Sequence, residues 1–389
     1  LEKDSKSVYN LGMYVIKNSS LYSIEKSSET EFLSQFALEK VEAEKLQWEK
    51  HSWKNSSKDE QDQNRLFSRS ALWGGKQQVD FSARPSFKFC ARSADRLYYI
   101  LSMTRSHGLF YYDLKEEKEV RLFHREEFTP NGFFLDEDET ILTTQTNRDG
   151  SVNLIRINSE GRKIKEITDG DCIDEHPWVS GDYLYYQTSG LARTAEGHLA
   201  ARSASAIFRL GLSSGQIEAI KESHDFDYLL PKTDTQGNLY FIQRPHLAVG
   251  QSQGFLQITK DVLLFPYRLI VAVFGFLNTF SLIFGKKPLM SAGGPETPEI
   301  DLSHQIIHGQ WVDTIEASRK ERRQVAVGRD WKLVKRKPDG EEEVIGTNVI
   351  WYDIDAKGEL LFTDGFQIFD AAGNSFFSSQ QLITFIHIR

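Results

Sequence analysis

The chain has 389 residues, 40% of them apolar and 26% charged, so it can bury a sizeable core and is not a disordered polymer. Aromatic residues reach 12%, which favours the half-buried pleated surfaces of strands. A net charge of −8 excludes a general nucleic-acid binder, because phosphate affinity is built from clustered Lys and Arg.

The opening stretch, LEKDSKSVYN, has no signal-peptide pattern and no initiator Met, as expected of a processed or truncated chain. GMYVIKN, LYSIEK and ETEFLSQ follow and read as three strands. Residues 38–80 carry two readings. EKLQWEKHSW and RLFSRSALWGGKQQV fit a further strand unit with a long loop, whereas ALEKVEAEKLQWEK fits a charged helix. The first is preferred.

A repeat then dominates. Residues 85–123, 131–167 and 176–220 share one form: a short strand, a polar turn, a strand rich in Tyr, Leu and Phe, then a hairpin. Residues 227–243 supply half of another unit, completed only at 330–345, and 348–379 is the next. Turn dipeptides such as Asp149-Gly150, Ser214-Gly215 and Asp339-Gly340 join the strands. Units of about 40 residues and four strands are the size of propeller blades, which bury their faces only by stacking radially. The lone last strand, LITFIHIR, completes the three-stranded first unit and closes the ring. The expectation is an all-β, seven-bladed propeller with terminal strand closure, or a six-bladed one if 38–80 is helical.

Degraded forms of a Ser-Pro-Asp-Gly turn occur at Val179-Ser180-Gly181-Asp182 and Asp355-Ala356-Lys357-Gly358. With the repeat, they make nearly all of the chain outside 247–326 resemble the TolB-like and YWTD-like bacterial propeller class. The Trp-Asp dipeptide of WD40 repeats is absent from the blade positions. The resemblance implies an architecture and no particular activity.

Residues 247–326 interrupt one blade of this single domain and contain VLLFPYRLIVAVFGFLNTFSLIF (262–284). Its length would cross a bilayer, which needs about 20 apolar residues. Its flanks belong to one blade, however, so a single crossing would put half a sheet on each side. The segment is expected to be a helical arm that dips into a membrane surface, docks on a membrane protein, joins a soluble assembly or packs on its own propeller; membrane contact is preferred. Its bulky contact set is Leu263, Leu264, Phe265, Ile270, Phe274, Phe276, Leu277, Phe280, Ile283 and Phe284. Arg268, Ala272, Gly275 and Thr279 make a small and polar stripe. Lys286, Lys287, Arg322 and Arg323 would suit anionic headgroups.

Chemistry is sparse. No nucleophile elbow, zinc-protease, P-loop or dinucleotide fingerprint occurs, and no cofactor or metal is expected. His304 and His308 could share a helix face as ligands, but surface positions are the preferred reading. Propellers often bind ligands where their innermost strands begin. That ring would hold Asn131, Asp174, Glu175, His176, Asp225, Asp227 and Asn348, although Asp and Asn there also simply make turns. The reading is a non-catalytic, membrane-associated scaffold with a protein partner. A propeller-type hydrolase acting on a glycan or peptide is the alternative.

Overall fold

The computed structural model describes residues 12–25, 28–43, 46, 85–103, 106–126, 128, 130–194, 199–247 and 304–389. The chain divides into two compact units: residues 1–246 with 316–389, and residues 247–315. The segment 262–284, with Lys286 and Lys287, lies outside the described residues.

The described residues of the larger unit form six antiparallel four-stranded meanders. Meander 1 runs Ile383–Ile388, Met13–Lys17, Ser20–Glu25, Ser28–Phe32. Meander 2 runs Ser86–Arg92, Arg96–Met103, Ser106–Asp113, Lys118–Arg125. Meander 3 runs Phe133–Leu135, Ile141–Thr146, Val152–Ile157, Lys163–Glu166. Meander 4 runs Cys172–Ser180, Tyr183–Arg193, Ala206–Gly211, Ile217–Lys221, with Leu199–Arg202 added to its second strand. Meander 5 runs Phe226–Thr233, Leu239–Pro245, Lys332–Arg336, Glu342–Thr347. Meander 6 runs Trp351–Ile354, Leu360–Thr363, Gln367–Asp370, Ser375–Ser378. Meanders 3 and 4 merge into one sheet through a parallel bridge, Val152 to Ile173.

The last strand of each meander is its least buried. The core includes Val15, Tyr98, Tyr99, Ile100, Phe241, Leu333 and Tyr352. The last strands, such as Lys163–Glu166, face solvent with charged side chains. Such charges blunt an edge against pairing with other chains. The turns explain the register. Asp149 and Asp339 each accept a backbone N–H two residues on, from Ser151 and Glu341. Gly150 and Gly340 sit at φ 87° and 94°, a conformation that favours glycine. Meander 1 joins the two ends of the described chain, with Met13 opposite Ile388 and Val15 opposite Ile386.

Two expectations change. The described part of 38–80 is helical: residues 35–43 form helix α1 and residue 46 is also helical. Ser34 caps α1 by accepting the Ala37 N–H at 3.1 Å, and Glu119 takes the Phe36 N–H at 2.7 Å. Ala, Leu and Glu in its first turns favour that outcome over a strand. The other residues of 38–80 lie outside the described residues.

In the smaller unit, His304–Ile307 and Gln310–Asp313 make a hairpin. His308 and Gly309 both have positive φ, 47° and 74°, as a two-residue hairpin turn requires. His304 and His308 therefore belong to a strand and its turn, not to one helix face.

Candidate functional site

The leading strands of all six meanders line one cavity of about 500 Å3. They contribute mainly their C-terminal halves: Phe89 to Ala94, Phe133 to Leu135, His176 to Trp178, Leu230 to Lys232, Trp351 with Asp353 to Lys357, and Phe385 with His387 to Arg389.

Two matched bulges shape the wall. In meander 4 the register jumps between Glu175 and Trp178, and in meander 5 between Leu229 and Lys232. In each, two residues face one on the partner strand, and such bulges re-aim the side chains that follow. Pro177 and Pro231 occupy the unpaired positions, where a missing N–H costs no ladder bond. His176 and Leu230, just before them, take φ 53° and 55°. The first bulge is held from meander 3, where Asn131 accepts the His176 N–H at 3.3 Å. Gly132 lies so close that a Cβ there would stand 2.5 Å from the His176 nitrogen.

The bulges bring Trp178 and Lys232 to the cavity. The Lys232 ammonium lies 5.1 Å from the Trp178 ring centroid, 5.6 Å from Tyr352 and 5.8 Å from Trp351. These are cation–π distances. It also donates to Asp353 Oδ1 at 2.5 Å. The other Asp353 oxygen accepts the Ile388 N–H at 2.8 Å and the His387 Nδ1–H at 3.1 Å. His387 Nε2 in turn accepts the Arg92 N–H at 3.2 Å, which fixes the neutral tautomer. Burial alone would raise the Asp353 pKa. The Lys232 charge and the His387 hydrogen bond outweigh it and hold the carboxyl well below the usual carboxylate range.

Aromatic side chains continue the lining from Trp351. Trp351 packs against Phe385 at 4.8 Å and His176 at 5.8 Å, and Phe89 lies within 6.2 Å of all three. The Trp351 indole N–H is satisfied by the Ile386 carbonyl at 3.0 Å.

The lining also contains a thiol and a hydroxyl, Cys90 and Ser93. Burial pushes the Cys90 thiol far up, and Ser93 donates to Glu139 at 2.8 Å. Glu139 is itself tied to Arg96 and Tyr98. Both cysteines are free. Among the described residues, no group of His, Cys, Asp and Glu could hold a metal ion.

Of the sequence-derived ring, His176 lines the cavity. The others sit towards the N-terminal ends of the same strands or before them. Glu175 receives Gln187 at 2.9 Å and the Asn131 side chain, with Arg202 at 3.6 Å. Asp227 accepts the Arg244 Nε–H at 3.0 Å and the Ser205 N–H at 2.9 Å, and meets His246 at 2.8 Å. Arg244 is also near enough to Glu175 to act on its charge, so these residues form one buried polar network. Asp174 pairs with the Cys172 thiol at 3.3 Å. Asn348 donates to the Val327 carbonyl at 2.9 Å and accepts from Arg323 at 3.1 Å. Asp225 is exposed.

Arg323 also pairs with buried Asp364, so its guanidinium is engaged within the larger unit. Arg322 stands beside it at φ 55°. Among the described residues, no helix is long and apolar enough to cross a membrane.

Sequence reasoning missed Lys232, Asp353, His387, Trp178 and Trp351. A usable signal was present: His-Pro-Trp at 176–178 and Leu-Pro-Lys at 230–232 place Pro inside strand patterns, which marks bulges.

No family model and no curated protein matches the chain. Among solved structures it is similar to TolB from Acinetobacter baumannii, at 9% identity and a TM-score of 0.48, over 97% of this chain and 66% of that one. It is also similar to a putative TolB from Agrobacterium tumefaciens, at 11% identity and a TM-score of 0.41, over 78% and 82% of the two chains. Similarity to the tricorn protease is at 10% identity and a TM-score of 0.39, over 78% of this chain and 31% of that one. The chain thus spans less than two thirds of TolB from Acinetobacter baumannii and about a third of the tricorn protease. The likeness to TolB-like propellers is one of architecture and says nothing of chemistry.

Proposed function

We propose that the protein is a six-bladed β-propeller, closed by the pairing of Ile383–Ile388 with Met13–Lys17, that serves as a non-catalytic binding module. One observation carries this reading. Every meander contributes to one concave site in which Lys232, Asp353 and His387 are engaged with one another. Asp353 accepts from Lys232, His387 and Ile388, and His387 Nε2 accepts a backbone N–H. A general base needs a free lone pair within reach of substrate. A concave, largely apolar pocket with a few fixed polar groups is instead the form of a ligand site.

Trp178 and Trp351 provide the readout, since a ligand in the cavity will change their fluorescence. Saturable quenching by a small-molecule or peptide library, with no turnover on ester, peptide or glycoside panels, is the expected result. Turnover that His387→Ala abolishes would overturn the non-catalytic assignment.

The apolar segment 262–284 supports a second element of the proposal, attachment to a membrane surface or membrane protein. The chain is expected to float with anionic liposomes, and deletion of 250–300 to leave it in the soluble fraction with unchanged quenching. Flotation that survives the deletion would remove this element.

A further inference from the structure

We infer that the cavity binds a carboxylate carried on an apolar, preferably aromatic, body. The inference rests on reading the cavity as a binding site and adds the chemistry of its ligand.

The polar groups of the lining are asymmetric. Its two carboxylates are already partnered: Asp353 accepts from Lys232, His387 and Ile388, and Asp355 Oδ1 accepts the N–H groups of Lys357 and Glu359, each at 2.8 Å. Its cations retain donors. An ammonium carries three N–H groups. Among the described residues, Asp353 is the one hydrogen-bond acceptor of the Lys232 ammonium. Arg92 and Lys357 stand exposed at the rim. Four cations, Arg92, Lys232, Lys357 and Arg389, thus line the cavity against two carboxylates, Asp353 and Asp355, so it favours a ligand that accepts hydrogen bonds.

The aromatic cage argues the same way. Trp178 and Trp351 are the lining rings that would attract a cationic ligand, but the protein's own Lys232 already lies over them. An incoming cation would meet a like charge at short range. An incoming carboxylate would meet an ammonium in a partly desolvated site, where charge-assisted hydrogen bonds are strongest. The Phe89, Trp351 and Phe385 rings then receive the apolar body by edge and tilted contacts.

The test is calorimetric titration of the full chain with three probes that share a phenylethyl body: N-acetylphenylalanine, its primary amide, and phenethylamine. The acid is expected to bind roughly ten- to a hundredfold more tightly than the amide, the range for a charge-assisted hydrogen bond. Phenethylamine is expected to bind weakest. Because this comparison uses the unmodified protein, it does not depend on any variant folding. In the paired variant Lys232→Met with Asp353→Asn, which avoids leaving an unpaired buried charge, the acid should fall to the affinity of the amide. Equal binding of acid and amide, or tighter binding of phenethylamine, overturns the inference and leaves the cavity a binding site. Failure of all three probes overturns both. Gly-Gly-Phe, with a free C-terminal carboxylate, separates the sources: tighter binding than N-acetylphenylalanine identifies a peptide terminus, and weaker binding a free acid.

Discussion

Asp353 and Glu175 are both carboxylates withdrawn from water within leading strands, yet their surroundings act on them in opposite directions. Asp353 sits at the cavity end with an ammonium at 2.5 Å, and its pKa is depressed despite burial. Glu175 lies towards the other end of its strand, with its nearest cation, Arg202, at 3.6 Å, and burial raises its pKa. Arg202 also donates to Ser189, and Arg244 belongs first to Asp227. The contrast teaches that depth alone does not decide ionisation. A partner held in direct contact does, and one shared with other acceptors does not. It also separates the two ends of the strands by role: a tight ion pair facing a cavity, and a polar network filling space between strands.

The sharpest way to break the contrast is Asp353→Ala. It leaves Lys232 without its counter-charge and removes the acceptor of His387 and the Ile388 N–H. Breaking one partner of a buried pair costs about 3–5 kcal/mol, so the urea midpoint should fall steeply. The pair also predicts an acid dependence. A depressed folded pKa contributes stability that is fully present above the unfolded value, about 3.9, and is lost as pH falls through the folded one. Unfolding free energy should therefore drop below about pH 4, and Asp353→Asn should flatten that drop. An unchanged acid profile in Asp353→Asn would contradict the pairing.

A smaller effect is expected at the bulge that aims Trp178. Gly132→Ala would push a Cβ to within 2.5 Å of the His176 nitrogen and 2.8 Å of its Cα, both backbone atoms that cannot swing aside. Overpacking of this kind costs about 1–3 kcal/mol. The variant should lose that stability, and Trp178 fluorescence should shift as the bulge moves. A neutral result would show that the two strands slide apart freely.

The strand repeat was legible because its signals are local. Period-two apolar patterns and turn dipeptides mark four-stranded units, and the glycines of Asp149-Gly150 and Asp339-Gly340 do take the positive φ those turns need. Pairing of the first described strand with the last was legible too, since one unit lacked a strand and another strand was spare. The site was not. Lys232 and Asp353 are 121 residues apart and meet only through the stacking of meanders 5 and 6. The ring read from strand beginnings captured residues of the polar network, because Asp and Glu stand out in a sequence. Much of the cavity wall is built instead from Trp, Phe and Pro, which look like ordinary core residues. The helical start of 38–80 turned on Ser34 and its bond to Ala37, a cap that lies before the ambiguous stretch.

The smallest expected effect sharpens the contrast from the other side. Glu175 has a raised folded pKa, first through burial, with Arg202 and Gln187 only partly opposing it. Between the unfolded and folded values the native state binds more protons than the unfolded chain, so this group lowers stability as pH rises. Above the folded value the penalty of the buried charge is fully present. Glu175→Gln keeps an acceptor for Gln187 and Asn131 and removes that charge. It should leave stability nearly unchanged at low pH and raise it modestly at neutral pH, the reverse of Asp353→Asn. Urea titrations of both variants across that range decide the matter. If Glu175→Gln is destabilising at neutral pH, Arg202 and Arg244 are worth more to the carboxylate than burial costs, and the two ends of the strands do not differ in kind.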